Sequence, residues 1–210
     1  MAKIITIAQQ KGGAGKTTIV VHLAISLMQA GNRVALVDID PQGSLTNWYN
    51  LRERKYGKGY TGVAFFSSSG WRLNTAINQF KEKYDYILID SPPHTETDSK
   101  VAIRIADLVL VPMQPSPTDL WATSATLGFA QKEKKLVKII LNRYNHSSKL
   151  AKEIISNLDD LLENYLGNRV AFSSCFLQGM SITELDPSSQ AAYEVKQLTD
   201  EVLSLIDKGS

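Results

Sequence analysis

Five stretches of the chain are almost continuously apolar and predict β-strands. They cover residues 3–8, 33–38, 85–90, 107–112 and 136–141, and residues 169–172 form a weaker candidate. A strand with one face in water alternates apolar and polar residues, whereas a strand that is covered on both faces is apolar throughout. The pattern therefore predicts a mainly parallel sheet between two layers of helices.

Segments in which apolar residues recur with helical spacing separate these strands. They cover residues 16–30, 71–83, 117–131, 149–165 and 189–206. Gly31 follows the first of them, at the position where a glycine commonly ends a helix. Because strands and helices alternate, we expect a doubly wound α/β fold, with residues 1–210 forming a single domain. Residues 53–69, which contain three glycines and three serines, fit neither pattern.

Composition and charge exclude several classes of protein. The chain has 43% hydrophobic and 21% charged residues and a net charge of +2, so nucleic-acid binding would require a local basic patch. No apolar run exceeds four residues, against about 20 for a membrane-spanning helix, and the N-terminal pattern is not that of a secretory signal. We therefore expect a cytoplasmic protein that crosses no membrane. The single cysteine, Cys175, excludes an internal disulfide and a zinc site built on several cysteines.

A glycine-rich loop lies between the first predicted strand and the first predicted helix, and it predicts a phosphate site. It reads Lys11-Gly12-Gly13-Ala14-Gly15-Lys16-Thr17-Thr18. Glycines let backbone N–H groups converge on an anion, and the positive end of the following helix adds to the attraction. Lys16 is placed to reach the β- and γ-phosphates, and Thr17 to offer its hydroxyl to Mg²⁺. The strict phosphate-loop motif has glycine where this chain has Gln10, so one position does not match.

Three carboxylates follow predicted strands: Asp38 and Asp40 after the second strand, and Asp90 at the end of the third. Ligands of open parallel sheets bind at the carboxyl ends of the strands. Carboxylates repel a triphosphate, so we expect them to act through Mg²⁺ and through a water nucleophile. Asp90 ends an apolar strand, where a buried carboxylate needs a partner such as hydrated Mg²⁺. Simple turn residues remain the alternative for Asp38 and Asp40, and a helix cap for Asp90.

These motifs resemble the ParA/MinD group of P-loop ATPases, whose deviant phosphate loop reads K-G-G-x-G-K-[ST]-[ST]. The resemblance implies that ATP and Mg²⁺ are the cofactors and that ATP is hydrolysed to ADP and phosphate. It implies that Lys11 crosses the interface of an ATP-bound homodimer to the partner's phosphates, that Asp40 orients the attacking water and that Asp38 lies near the metal's hydration shell. It also implies that residues 91–97 sense the γ-phosphate and that Asn142 touches adenine. A solvated lysine and a turn asparagine remain the alternatives for Lys11 and Asn142.

The residues also distinguish between branches of this family. The last predicted helix and its end carry four acidic residues against two lysines, which opposes adsorption to an anionic membrane. Its apolar residues are interpreted as a stripe that faces the core: Tyr193, Leu198, Val202, Leu205 and Ile206. A lone cysteine cannot supply paired thiolates for an iron–sulfur cluster. With no helix-turn-helix before the first strand, the chain is most similar to the short ParA-type partition ATPases.

The resemblance implies a positional switch with several partners. The ATP-bound homodimer is expected to assemble further through residues 115–117. It binds DNA without sequence preference and so joins the nucleoid. It is released when a ParB-like partner provokes hydrolysis. The candidate DNA contacts are Lys132, Lys134, Lys135, Lys138, Lys149, Lys152 and Arg169. Residues 173–184 contain no arginine, although the family often carries arginines there. The alternatives are an ATPase that positions a protein cluster or assists conjugation, and a P-loop ligase or kinase acting on a small molecule.

Overall fold

Six parallel strands form the sheet at the centre of the structure. The computed structural model describes residues 1–93 and 97–208, and its strands are β1 Lys3–Ile7, β2 Val34–Asp38, β3 Ala64–Ser67, β4 Tyr86–Asp90, β5 Leu108–Met113 and β6 Leu136–Leu141. Their order is β3-β2-β4-β1-β5-β6. The connections after β1 and β5 leave in opposite directions along the sheet, so a crevice opens at the carboxyl ends of these neighbouring strands.

Helices cover both faces of this sheet. They are α1 Lys16–Gln29, α2 Ser44–Tyr56, α3 Gly70–Phe80, α4 Thr97–Ile105, α5 Pro117–Lys132, α6 Lys149–Ile155, α7 Ala171–Ser174, α8 Ile182–Leu185 and α9 Gln190–Lys208. Successive residues of β2 pack into opposite layers: Leu36 joins the cluster that contains α1, α2 and α9, and Val37 joins the cluster that contains α3 and α4. The prediction of a parallel sheet between two helical layers is confirmed.

The segment after β6 differs from the helix predicted for residues 149–165. The helix ends at Ile155, and the chain then runs beside β6. The Ile139 N–H donates to the Asp160 carbonyl at 2.7 Å, and the Leu162 N–H donates to the Ile139 carbonyl at 2.9 Å. The free edge of β6 takes these backbone bonds, and this tertiary pairing overrides the helical spacing of the sequence.

The weak strand predicted for residues 169–172 is wrong. A short helix, α7, begins at Ala171, and the residues before it form a loop in which Val170 is exposed. The edge of β6 is already occupied by the preceding segment, so no sheet position remains for this stretch. Phe172 is instead buried in the α1 layer, where its ring contacts His22 edge-on.

Three elements of the structure are not among those predicted from the sequence: α2, β3 and α4. The buried residues of α2 are only Leu45, Trp48 and Arg52, because the helix lies near the surface. β3 forms one edge of the sheet, with three half-buried residues and an exposed Ser67, and it lies within the stretch 53–69 that matched neither pattern.

The C-terminal helix α9 packs against α1 through one apolar face. Leu198, Val202 and Ile206 are buried there, as expected, whereas Tyr193 is 57% exposed and does not belong to the stripe. The expectation for Tyr193 is therefore wrong. None of the helices in residues 1–93 and 97–208 is long and apolar enough to span a bilayer.

Candidate active site

The phosphate loop connects β1 to α1 and borders a cavity of about 430 Å³. Gly13 and Gly15 have φ angles of 75° and 96°, in the left-handed region that glycine adopts readily. A Cβ on Gly15 would lie 2.0 Å from the Asn142 amide nitrogen, so no larger residue fits there. Since Gly15 is also the N-cap of α1, no side chain occupies the first-turn N–H groups, and these groups are available to an anion.

Lys16 lies inside this cavity and is 7% exposed. Its ammonium donates to the Gln9 carbonyl at 3.3 Å. Burial lowers the pKa of Lys16, while the charges of Asp90 and Asp40 act in the opposite direction. A phosphate group would provide this cation with a stronger partner than a single carbonyl.

Asp90 and Thr17 together form a place that fits Mg²⁺. Strand register sets Asp90 beside Asp38 of β2 and Ile7 of β1, and the Thr17 hydroxyl donates to Asp90 Oδ2 at 2.7 Å. Among the described residues, Asp90 Oδ1 is the buried side-chain oxygen without a hydrogen-bond partner. Burial is the main cause that raises the pKa of Asp90 to about 7, and the Asp38 charge adds to it against the Thr17 hydrogen bond. A hydrated divalent cation would satisfy this oxygen and stabilise its charge.

Protein groups alone do not enclose a metal here. No group of three or more His, Cys, Asp or Glu residues in the described ranges is arranged to hold an ion. Mg²⁺ commonly binds through one or two protein groups, with the phosphates of its substrate and water completing the octahedron. The Thr17 hydroxyl and the Asp90 carboxylate suit that arrangement.

Asp38 supports the site through backbone contacts. Its Oδ1 accepts the Asp40 N–H at 3.0 Å, and its Oδ2 accepts the Thr46 N–H at 2.9 Å and the Thr46 hydroxyl at 2.6 Å. These bonds tie the loop after β2 to the first turn of α2. Asp40 lines the phosphate cavity, and its Oδ1 accepts the Gln42 N–H at 2.9 Å.

The predicted γ-phosphate sensor, residues 91–97, forms the loop after β4. Residues 94–96 of this segment lie outside the described part of the chain. At its beginning, the buried Ser91 hydroxyl donates to the Ile7 carbonyl at 2.9 Å and fixes the loop to β1. The Ser99 hydroxyl donates to the Pro92 carbonyl at 3.1 Å, which fixes the start of α4. Both described ends of this loop are therefore anchored beside the phosphate cavity.

Lys11 has no acidic residue close by in the sequence, but in the folded chain an acidic residue lies next to it. Its ammonium forms an ion pair with Asp119 and donates to the Thr118 hydroxyl at 3.1 Å, both in the first turn of α5. Asp119 is 1% exposed and the Lys11 side chain 38%. Ser116 caps this helix by accepting the Asp119 N–H at 3.2 Å. In the single chain, Lys11 thus directly precedes the residues that line the phosphate cavity, and its ammonium is paired with its own α5.

A second cavity of about 490 Å³ adjoins the first, and Thr18 and Arg143 line both. Asn142 lies in its wall, where its amide donates to the Ala14 carbonyl at 2.8 Å and so supports the phosphate loop. Its contact with adenine stays a prediction. The residues of this cavity that sequence reasoning missed are Gln114, Arg143, Gly167, Asn168, Val170, Phe172 and Ser173. Only Arg143, which follows Asn142 directly, had a local signal.

Gln9 is a further residue that the sequence did not reveal. It is 2% exposed, and its side-chain amide donates to the Pro112 carbonyl at 3.1 Å and to the Thr123 hydroxyl at 2.9 Å. These bonds join the start of the phosphate loop to β5 and α5. Gln114 adds a similar link, since its amide donates to the Gly13 carbonyl at 3.1 Å.

The candidate DNA contacts do not form one free patch. Lys138 is paired with Asp160 and Arg169 with Glu194. Of the remaining lysines, those at positions 132, 134 and 135 precede β6 and those at positions 149 and 152 follow it. The two ends of this six-residue strand lie roughly 17 Å apart.

Comparison with known proteins agrees with this architecture. Residues 5–182 match the model of the CobQ/CobB/MinD/ParA nucleotide binding domain. The chain is 28% identical over 210 residues to the maintenance of carboxysome distribution protein A of Halothiobacillus neapolitanus, covering 95% of each chain. It is 25% identical over 241 residues to the chromosome-partitioning ATPase Soj of Thermus thermophilus, covering 97% of this chain and 96% of that protein.

A solved structure shares the fold over its full length. The Mg-ADP complex of the septum site-determining protein MinD from Pyrococcus horikoshii OT3 superposes with a TM-score of 0.83 and 23% identity, covering 100% of this chain and 99% of that one. At this identity the likeness concerns the fold alone. Because the family model spans most of the sequence, including the phosphate loop and Asp90, the chain belongs to the CobQ/CobB/MinD/ParA nucleotide-binding family, as a P-loop ATPase of the ParA/MinD type.

Proposed function

We propose that this ATPase is a dimerising switch that binds DNA without sequence preference in its ATP state and segregates plasmid or chromosomal DNA with a ParB-like partner. The observation that carries the switch is the different placement of the two lysines of the phosphate loop. Lys16 lies inside the phosphate cavity, whereas Lys11 directly precedes the residues that line it, is partly exposed and has its ammonium on α5. A lysine in that position suits contact with a second nucleotide better than contact with its own.

The hydrolytic step follows from the groups around the cavity. Backbone N–H groups of residues 12–18 and the Lys16 ammonium bind the β- and γ-phosphates. Thr17 and Asp90 would hold Mg²⁺, which offsets negative charge on the phosphate oxygens when it is bound. Asp40, at the cavity wall, orients a water that attacks the γ-phosphorus, while the bond from that phosphorus to the β–γ bridging oxygen breaks. The products are ADP and inorganic phosphate.

Dimerisation requires Lys11 to exchange partners. In the monomer its charge is compensated by Asp119. In the dimer we expect the ammonium to leave this carboxylate for the phosphates of the partner's nucleotide, which carry more negative charge. Hydrolysis removes the γ-phosphate and so weakens the new contact. The monomer, with Lys11 back on α5, is then the resting state.

DNA binding would use three lysines at and just after the end of α5, of which Lys132 and Lys134 are exposed and Lys135 is half-buried. Lys132, Lys134 and Lys135 follow one another closely, and none of them takes part in an ion pair in the described part of the chain. Contacts of lysines with phosphates release counterions, so affinity should fall steeply with salt.

A filter-binding assay with random-sequence duplex DNA tests this function. It compares the DNA that the protein retains with ATP, with ADP and with no nucleotide, over a series of salt concentrations. We expect retention with ATP alone, and its loss when all three lysines are replaced by Gln. A matched control replaces Lys55, Lys58 and Lys83, which are exposed elsewhere, and changes the net charge equally. Equal retention in all three nucleotide states would refute the DNA switch, and equal loss in both triple variants would refute the assigned patch.

A second candidate function is the positioning of a protein cluster by the same ATP cycle. It is favoured by the 28% identity with a carboxysome distribution protein over 95% of both chains. Residues 173–184, which carry no arginine, also fit a role with less DNA contact. ATP-dependent dimerisation without duplex retention would favour this function over DNA segregation.

A further inference from the structure

The two edges of the sheet differ in how they are covered. Along β6, the segment that follows α6 takes up free backbone groups: the Leu162 N–H donates to the Ile139 carbonyl at 2.9 Å, and the Leu166 N–H donates to the Leu141 carbonyl at 2.9 Å. At the opposite edge lies β3, and no segment of the described part of the chain pairs with its outer side. β3 is therefore the open edge of the sheet.

The outer side of β3 carries unused backbone groups. The Ser68 N–H, directly after the strand, donates to the Asp38 carbonyl of β2 at 3.0 Å. Because successive residues of a strand direct their backbone groups to alternate sides, Phe66 also faces β2, whereas Phe65 and Ser67 direct their N–H and carbonyl groups away from the sheet. Each chain thus offers two donors and two acceptors, spaced two residues apart, that another strand would satisfy.

The sequence around this edge lacks the features that normally prevent pairing with another chain. Natural edge strands are protected by charged residues, prolines or bulges, yet residues 59–71 contain neither a charged residue nor a proline. β3 is also apolar on both faces, since Phe65 stacks on Tyr49 in one helical layer and Phe66 stacks on Phe80 in the other. Both rings are only half-buried. An edge strand here has the apolar pattern of a strand inside a sheet.

Exposed aromatic residues lie at both ends of this edge. Tyr60 precedes β3 and is 81% exposed, and Trp71 follows it in the first turn of α3 and is 71% exposed. In an antiparallel pair, the start of one strand meets the end of the other. A second copy of the chain, inverted beside the first, therefore brings its Tyr60 to the end that carries Trp71, and the same contact forms at the other end.

We propose that the open edge of β3 is an interface between two copies of this chain, which pair antiparallel about a two-fold axis. Phe65 of each copy lies opposite Ser67 of the other, and Phe66 lies opposite its own equivalent. This register uses all the outward N–H and carbonyl groups of Phe65 and Ser67 and places no charges opposite each other in the strands.

This interface is separate from the nucleotide site. β2 and β4 lie between β3 and β1, the strand that precedes the phosphate loop. Pairing at β3 therefore needs no nucleotide, and it leaves the phosphate cavity free for the ATP-dependent dimer. A chain that uses both interfaces would link ATP-bound dimers to one another.

Sedimentation equilibrium of the full chain without nucleotide tests the association. A contact of one short strand should be weak, so we expect the average mass to rise from monomer towards dimer between about 10 μM and about 1 mM. Ser67→Lys adds a charge at an exposed position of the edge and should weaken association about tenfold or more. Ser204→Lys, at an exposed position of α9, adds the same charge and should leave association unchanged. Both variants should unfold at the wild-type temperature, because neither side chain is buried.

A cysteine at position 66 tests the antiparallel register. In this register the two Cβ atoms at that position lie about 4.5–5.5 Å apart, close to the separation that a disulfide requires. We expect mild oxidation to convert Phe66→Cys into a covalent dimer faster than Ser204→Cys, although Ser204 is the more exposed position. The native Cys175 is buried and serves both variants equally as a background.

A wild-type chain that stays monomeric up to about 1 mM would overturn the inference. So would wild-type association of Ser67→Lys, and a slower oxidation of Phe66→Cys than of Ser204→Cys would contradict the register. Because the measurements contain neither ATP nor DNA, these outcomes do not depend on the proposed function.

Discussion

At the scale of single residues, the contact between Lys11 and Asp119 joins charges 108 positions apart in the chain. The buried Asp119 also accepts the Ser116 hydroxyl at 2.6 Å, so its carboxylate is held firmly at the start of α5. Lys11 is the mobile partner of this pair because its long side chain is partly exposed. Its contact with a second nucleotide is a prediction that the single chain leaves open.

Replacing Lys11 with alanine tests that prediction. We expect the variant to bind ATP as a monomer, because Lys16 and the loop amides remain, and to lose the dimer, because the cross-subunit cation is absent. Light scattering during size-exclusion chromatography with a non-hydrolysable ATP analogue would measure the mass. Lys58→Ala, at an exposed position on the α2–β3 connection, serves as the control and should dimerise normally. A Lys11→Ala dimer of wild-type stability would contradict the assignment.

At the scale of elements, α2 connects the nucleotide site to the C-terminal part of the chain. Its first turn is bound to Asp38 through Thr46. Two residues further, the Trp48 indole N–H donates to the Met180 carbonyl at 3.2 Å. The 2%-exposed Arg52 then pairs with Glu184 of α8 through bonds of 2.7 Å and 2.9 Å. A series of hydrogen bonds along α2 therefore links the loop around Asp40 to α8.

The buried pair between Arg52 and Glu184 predicts a large loss of stability on truncation. Glu184→Ala leaves a desolvated guanidinium without a counter-charge, and we expect the free energy of unfolding to fall by about 3–5 kcal/mol. Denaturant unfolding would measure it. The matched control is Glu133→Ala, which removes the partner of Arg104 in a more exposed pair, where about 0–1 kcal/mol is expected. Equal losses in the two variants would contradict this account.

At the scale of the whole molecule, packing of α1 against the segment from α7 to α8 encloses a neutral histidine. His22 is 1% exposed, and its Nδ1 lies 2.9 Å from the Ser181 hydroxyl and 3.3 Å from the Ile182 N–H, which donates to it. Burial lowers the pKa of His22 to about 4 from its usual 6.5. The folded chain therefore resists protonation of this ring, whereas the unfolded chain accepts a proton below pH 6.5.

This difference predicts how stability changes with pH. The stability that neutral His22 provides is complete above pH 6.5 and is lost as pH falls towards 4, by about 1.4 kcal/mol per pH unit. The pKa of Asp90 is raised to about 7, so its protonation increases the stability of the folded state as pH falls from 7 to 3.8. The stability of the wild type alone therefore does not isolate the contribution of His22.

Comparison with His22→Asn removes the contribution of Asp90, which both proteins share. We expect the advantage of the wild type in free energy of unfolding to shrink by about 2 kcal/mol between pH 6.5 and 4.5. Denaturant unfolding at several pH values would provide the measurement. An advantage that stays constant over this range would show that burial of His22 does not govern the response.

The sequence by itself determined the phosphate loop, the strand that ends at Asp90 and the parallel α/β class. Each of these is encoded by contiguous residues. The loop has glycines between a strand and a helix, and the strands are apolar runs without the alternating polar residues of a sheet that is exposed on one face. It did not determine α2 or β3, because elements at the surface and edge of a fold bury too few residues to impose a period. The single-domain organisation remains a prediction from the same pattern.

Only the tertiary structure decided which distant groups meet at the site. Strand register placed Asp38 beside Asp90, and crossover connections brought Asp119 to Lys11 and Asn142 to the phosphate loop. The predicted helix at 149–165 was shortened because the open edge of β6 provided backbone partners that local propensity cannot anticipate. Contacts of this kind depend on how strands are ordered and paired, a property of the assembled chain that no local segment encodes.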